Sequence, residues 1–209
     1  MEIELKYGIP DPGIIDSLWK EEVFSRYGSV DKKTTIPMLA TYYDTKAGDL
    51  RKADAAFRIR KEGDQPVATL KWNDSVKEGL FEREELNINL TDSDCETPTL
   101  SKFIESESAC ALIEKVGDRP LVPVLKTDFT RKTMRIDTGT TIFEADLDVG
   151  SIITSAKNLD ICELEIELYS GSRDELVSIG EDIAERFGLV PGLKSKYQRG
   201  IEAVESADE

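Results

Sequence analysis

Residues 161–171 read ICELEIELYSG, and within them Glu163, Glu165 and Glu167 alternate with Leu164, Ile166 and Leu168. Successive side chains of a strand leave opposite faces, so this period of two predicts one apolar face and one face carrying three carboxylates. The opening segment repeats the pattern: in EIELK, residues 2–6, Glu2, Glu4 and Lys6 share one side while Ile3, Leu5 and Tyr7 share the other. Either strand alone reads as the solvated face of a half-buried sheet. The pattern recurs along the chain, however. Arg58 and Arg60 alternate with Phe57 and Ile59, Lys71 shares a side with Val67 and Thr69, and Arg83 and Glu85 leave GLFEREEL together. Arg131, Thr133, Arg135 and Asp137 are in phase in TDFTRKTMRID, as are Glu144, Asp146 and Asp148 in IFEADLDVG.

The signs segregate by strand. Acids occupy the first, seventh and last strand-like segments and bases the middle ones, whereas a surface tuned for solubility intersperses the two. If the sheet closes with these faces inward, an acidic wall stands opposite a basic wall. Small barrels ordinarily fill with apolar side chains, so a charged interior requires water, metal or ligand to neutralise it. The remaining segments fit such a closure. TTIPMLATYYDT, PVATLKWND, LVPVLKTDFTRKTMRIDTG and a short SIITSAK also read as strands, and the junctions KEGDQP and IDTGTT read as hairpin turns that pair neighbours antiparallel. Helical spacing marks residues 14–24, closed by Gly28. It also marks an insert over 97–116 with Leu100, Phe103, Ile104, Leu112 and Ile113 on its apolar face, and SRDELVSIGEDIAERFG with Ser172 as N-cap and Gly188 as stop. About eight strands and few helices in 209 residues predict an α+β barrel or sandwich filling one domain, residues 1–209.

Composition narrows the function. With 27 Lys plus Arg against 42 Asp plus Glu, the net charge of −15 argues against nonspecific binding to nucleic acid or anionic membrane. No apolar run is long enough to span a bilayer, and Cys95, Cys110 and Cys162 have no metal-ligand spacing, so a cytoplasmic protein with free thiols is expected. There is no histidine, which removes His-based triads and imidazole metal sites. Any metal must be held by oxygen, as Mg²⁺, Mn²⁺ or Ca²⁺ are. Arg and Lys rows suit phosphate oxygens, and facing carboxylate pairs suit a hard divalent ion. Together they read as a site for a metal-chelated polyphosphate.

ExExK at the N-terminus, YYDT at 42–45, FRIR at 57–60, TLK at 69–71, REE at 83–85, TR at 130–131, LD at 147–148, ELEIEL at 163–168 and KSKYQRG at 194–200 together resemble the CYTH superfamily, the triphosphate tunnel metalloenzymes. The resemblance follows the family's order over nearly the whole chain and is closest to its bacterial inorganic triphosphatase branch, in which a helical CHAD domain often follows; no such segment follows Glu209 here. It implies an eight-stranded antiparallel β-barrel, a tunnel with flanking helices, that hydrolyses the terminal phosphate of inorganic triphosphate with two Mg²⁺ or Mn²⁺ ions. Carried over by position, Glu2, Glu4, Glu165 and Glu167 are implied metal ligands. Asp148, with Glu85 and Glu144, is implied to hold a second ion or orient its water. Lys6, Arg58, Arg60, Lys71, Arg83, Arg131 and Lys196 are implied to grip the phosphates, and Glu4, Glu165 and Asp148 to carry catalysis. Asp146, Glu163, Arg135 and Lys194 have suitable parity or position with weaker motif support.

The same motifs read phosphates and leave the leaving group open. Thiamine triphosphatase, nucleoside triphosphatase, class IV adenylyl cyclase and a non-catalytic polyphosphate-binding module stand as alternatives, and a homodimer is left open. Trp19, Trp72 and the 14–24 helix face are assigned to core packing, Tyr42 and Tyr43 to wall packing, and EAVESADE to a solvated, frayed end.

Overall fold

A computed structural model describes residues 1–62 and 65–208. The ring predicted from the alternation is present. Eight strands run β1 (Glu2–Gly8), β2 (Ser29–Thr45), β3 (Ala56–Glu62), β4 (Gln65–Lys77), β5 (Leu80–Asn89), β6 (Leu121–Asp137), β7 (Ile142–Ile153) and β8 (Asn158–Ser170), with a two-residue β9 (Val190–Pro191). Their spatial order is β5-β4-β3-β2-β6-β7-β8-β1, and β1 pairs back onto β5, with Glu2 opposite Arg83 and Leu5 opposite Leu80. Every pairing is antiparallel. Closure leaves no exposed edge among the eight, and β9 covers the end of β1.

Turn chemistry sets the registers. Glu78 and Gly79 both have positive φ, which is the two-residue turn that matches strand twist, and the Gly79 carbonyl accepts Lys6 N–H at 2.8 Å to tie the hairpin to β1. The IDTGTT turn forms with Gly139 at φ +94° and Thr138 N–H donating to Thr141 C=O. The KEGDQP turn falls partly outside the described residues, though its flanks, Glu62 and Gln65, pair as a hairpin requires. SIITSAK is no separate strand: it is the end of β7 and a turn closed by Thr154. β2 begins five residues before the predicted TTIPM segment, because exposed SVDKK still pairs with the end of β6.

The apolar faces point outward, under helices. α1 (Ile15–Leu18), α2 (Glu21–Phe24) and α5 (Arg173–Phe187) cover β1, β7 and β8, burying Leu5, Leu147, Leu164 and Ile166. α3 (Asp92–Glu96) precedes α4 (Glu107–Val116), which lies over Phe57, Ile59, Leu70 and Trp72, whereas α6 (Lys196–Asp208) enters one end of the ring, where Tyr197 packs on the inward-facing Phe129 and Ile152 and on Leu125. Burying each such side chain contributes about 1.5–3 kcal/mol, so the ring is held by two apolar clusters outside it and a third that plugs one end. Gly180 and Gly200 let α5 and α6 approach: a Cβ there would come within 2.5 Å of Leu5 and 2.6 Å of Leu125.

Three helical expectations change in detail. Residues 14–24 form two single turns, because Lys20 is extended (ψ 140°), a break that lets Leu18 and Phe24 both reach the core. In the 97–116 insert the α-helix starts only at Glu107, after a 3-10 turn at Ser101–Phe103, and Ile104 is exposed while Leu100, Phe103, Leu112 and Ile113 are buried. The end drawn as frayed continues α6 through Asp208. Ser172 and Gly188 cap α5 as expected. Among the described residues no helix is long and apolar enough to cross a membrane.

Candidate active site

Inward faces of the eight strands enclose a cavity of about 1000 Å³. Glu2, Glu4, Lys6, Arg58, Arg60, Lys71, Arg83, Glu85, Arg131, Glu144, Glu165, Glu167 and Lys196, all expected as site residues, line it. Asp148 and Glu163 sit in its wall, 0% and 3% exposed.

The acidic wall splits into two groups, and the split differs from the expected one. Glu2, Glu4 and Glu167 offer carboxylate oxygens within 4.8 Å of one another; so, separately, do Asp148, Glu163 and Glu165. Register is the cause. Glu4 faces Glu167 across the β1–β8 ladder, whereas Glu165 faces Lys6. Glu165, grouped with Glu2 and Glu4 on the sequence, thus belongs with Asp148, and Glu163 joins them despite its weaker motif support.

The two groups differ in counter-charge. Arg131 donates to Asp148 at 2.8 and 2.6 Å and to Glu165 at 2.5 Å, and its third nitrogen meets Asp146 at 2.8 Å. Lys196, arriving on the first turn of α6, lies 2.7 Å from Asp148, 2.5 Å from Glu163 and 2.9 Å from Glu165. Lys6 pairs closely with Glu165 and at 3.5 Å with Glu163. Burial alone would raise the Glu165 carboxyl, yet Lys196, Lys6 and Arg131 hold it well below the usual carboxylate range.

The first group is less well neutralised. Glu2 accepts from Lys71 at 2.8 Å and from Arg83 at 2.5 Å, while Glu4 has Lys6 at 3.1 Å and Arg83 at 3.5 Å. The buried Glu4 Oε1 has the Lys6 ammonium beside it but outside hydrogen-bond geometry, and among the described residues Glu167 makes no ion pair. Burial first, then the charges of Glu2 and Glu4, push the Glu167 carboxyl up to about 8. A cluster of carboxylates that repel one another in a dry wall, with Glu167 lacking an ion-pair partner among the described residues, fits a hard divalent cation.

Opposite stand Arg58 and Arg60 on β3 and Lys71 on β4. Arg58 donates to Tyr42 Oη at 3.3 Å, and its buried Nε has no hydrogen-bond partner. Burial raises the Tyr42 phenol, and Arg58 more than reverses this, so the net effect is downward. Tyr42 also stacks on Tyr197 (5.4 Å, 22°), so it is wall and site at once. Lys71 meets Glu85 at 2.6 Å, which with Arg58 holds that carboxyl low despite its burial. Glu144 lines the cavity but is taken by Arg135 at 2.6 Å, and Arg135 lies over the Tyr169 ring. Lys194 is outside, paired with Glu202. Trp72 is core, and Trp19 packs against the α5 cluster.

Strict alternation misses Asp74. Asn73, at φ +57°, breaks the β4 register between Trp72 and Ser75, so the inward parity shifts and Asp74 enters the cavity 4.0 Å from Arg83. Burial raises its carboxyl, and its Oδ1 is unpartnered. The Asn-Asp pair was the available signal, since Asn tolerates the left-handed region.

An inorganic triphosphatase of Haemophilus influenzae is 31% identical over 160 residues, which cover 77% of this chain and 44% of that protein, so the chain spans less than half the length of the curated relative it matches. Among solved structures, HpAC1 from Hippeastrum, described with a dominant triphosphatase activity, superposes with a TM-score of 0.64 at 20% identity, covering 94% of this chain and 93% of that one. PH1819 from Pyrococcus horikoshii OT3 gives 0.57 at 20%, covering 97% and 99%. Both share the fold. The CYTH domain model matches residues 1–201. A tunnel closed by eight antiparallel strands, charged within and apolar without, is therefore the form taken here by a member of the CYTH domain family, to which this chain belongs.

Proposed function

We propose that the chain is a divalent-metal-dependent triphosphatase releasing the terminal phosphate of inorganic triphosphate inside the tunnel. The observation that carries this reading is that one cavity is lined both by Arg58, Arg60 and Lys71 and by the carboxylate group of Glu2, Glu4 and Glu167, in which Glu167 has no ion-pair partner among the described residues. The similarity to the Haemophilus influenzae inorganic triphosphatase supports it.

In this reading Glu2, Glu4 and Glu167 hold Mg²⁺ or Mn²⁺, which when bound supplies charge neutralisation and an acidified water. Arg58, Arg60 and Lys71 receive the phosphate oxygens, Arg bidentately and Lys as a point charge. Their fixed positions stabilise charge on the leaving oxygens, so positioning and electrostatics carry the chemistry and no nucleophilic side chain is needed. Asp148 and Glu165 hold Arg131 and Lys196 in place beside the reacting phosphate. Arg83, between Glu2 and Glu4, keeps those carboxylates aimed into the tunnel. Packing of Tyr197 against Tyr42 keeps bulk water from that wall.

The cavity is larger than a bare triphosphate fills, and Met38, Ala55 and Ala56 give part of its lining an apolar character. This favours, as a second reading, a triphosphate bearing an organic group. The three free cysteines fit a reducing compartment, and we place the protein in the cytoplasm. Phosphate release from tripolyphosphate, ATP and thiamine triphosphate, each with Mg²⁺, Mn²⁺ or chelator, tests both readings. Tripolyphosphate turnover that needs the metal and is lost in Glu4→Ala is expected; turnover unchanged in Glu4→Ala refutes the assignment.

A further inference from the structure

We infer that Lys196 serves as the built-in cation of the second carboxylate group, so that without substrate the chain takes one divalent ion, at Glu2, Glu4 and Glu167, and not two. This rests on the reading above that the first group binds a divalent ion. Two groups of three carboxylates lie in one wall, and oxygen donors alone do not distinguish them. Their partners do. The Lys196 ammonium lies within 2.9 Å of an oxygen from each of Asp148, Glu163 and Glu165. It thereby engages all three carboxylates that a metal would use. A compact ammonium with three donors can satisfy three carboxylates at once. Lys6 and Arg131 add positive charge there, so a dication would enter against a site whose three acids are already bridged by one ammonium; Lys6, Lys71 and Arg83 border the first group, but among the described residues none of them bridges its three acids.

The lysine is delivered by construction. It is 6% exposed and lies 5.0 Å from the Phe129 ring centroid. The next residue, Tyr197, is locked between the Tyr42 ring and the cluster of Leu125 and Ile152, and Gly200 allows α6 to seat closely there. Expelling Lys196 therefore means lifting the start of α6. Among the described residues nothing comparable reaches Glu167.

The test counts bound ions directly. Mn²⁺ alone, without substrate, is titrated into the full chain and free Mn²⁺ is followed by electron paramagnetic resonance. One ion is expected for the wild type and for Lys196→Arg, and two for Lys196→Met. Glu167→Gln, which leaves every partner of Lys196 in place, should lose the wild type's ion, whereas Glu163→Gln should keep it; these two keep the inference testable should Lys196→Met fail to fold. Two ions in the wild type, a single ion in folded Lys196→Met, or an ion lost in Glu163→Gln but kept in Glu167→Gln would overturn it. No ion at all in the wild type would overturn it together with the reading beneath it, which tells the two failures apart.

Discussion

Glu167→Gln should change how the metal-free fold responds to pH. The carboxyl sits near 8 in the folded chain against an ordinary 4.5, because it is buried and faces Glu2 and Glu4. Below the ordinary value both folded and unfolded states hold the proton, and ionisation costs nothing. As pH rises the unfolded chain releases its proton first, so stability falls until the folded carboxyl ionises, and the full gap is worth about 5 kcal/mol. Between about pH 6 and about pH 9 the loss is ~3 kcal/mol, or roughly 6–12 °C in Tm for a chain of this size. Burial also pushes Asp146 up to about 6, and it contributes at the acidic end in parent and variant alike. Thermal melts in chelator should therefore show a smaller pH-dependent drop for Glu167→Gln, with the variant more stable at the alkaline end. Mn²⁺ should restore the parent and leave the variant unmoved. Equal slopes for parent and variant would refute the placing of Glu167 in an under-neutralised cluster.

Other positions give further tests. Arg58→Met removes a guanidinium that, among the described residues, no carboxylate holds within ion-pair distance, so tripolyphosphate KM should rise roughly 10- to 100-fold, the equivalent of about 1.5–3 kcal/mol of charged hydrogen bonding, with the melting temperature little changed. Arg83→Met leaves Glu2 with Lys71 and Glu4 with Lys6 alone in a buried wall and should cost up to about 3 kcal/mol in denaturant melts, partly recovered by Mn²⁺. Ser172→Ala deletes the α5 cap bond to Glu175 N–H and should cost about 1 kcal/mol with no effect on turnover, which makes it a control for stability alone.

The ring was legible because its signal is local. Alternation in residues 2–6, 57–60 and 163–168 assigns each side chain to a face, but the sign of the charge does not sort the strands into two walls, because Arg83 and Arg131 lie among the carboxylates they pair with. What alternation does not carry is register. Glu165 and Glu167 look equivalent in ELEIEL, yet Glu167 meets Glu4 and Glu165 meets Lys6, because the β1–β8 pairing is fixed by the closed ring and not by either strand. A bulge breaks the rule outright, and Asp74 was lost for that reason. Lys196 shows a third limit. In KSKYQRG a helical lysine reads as solvated, and only the docking of Tyr197 turns it into the wall. The broken helix at 14–24 is of the same kind, since tertiary burial of Leu18 and Phe24 overrides local spacing.

The most direct measurement is phosphate release from tripolyphosphate by the purified chain with Mg²⁺ or Mn²⁺, repeated in excess chelator and with Glu4→Ala. Turnover that requires the ion and vanishes in the variant is predicted. Release that continues unchanged in chelator, or at the parent rate in Glu4→Ala, would contradict a metal-dependent reaction housed in the charged tunnel.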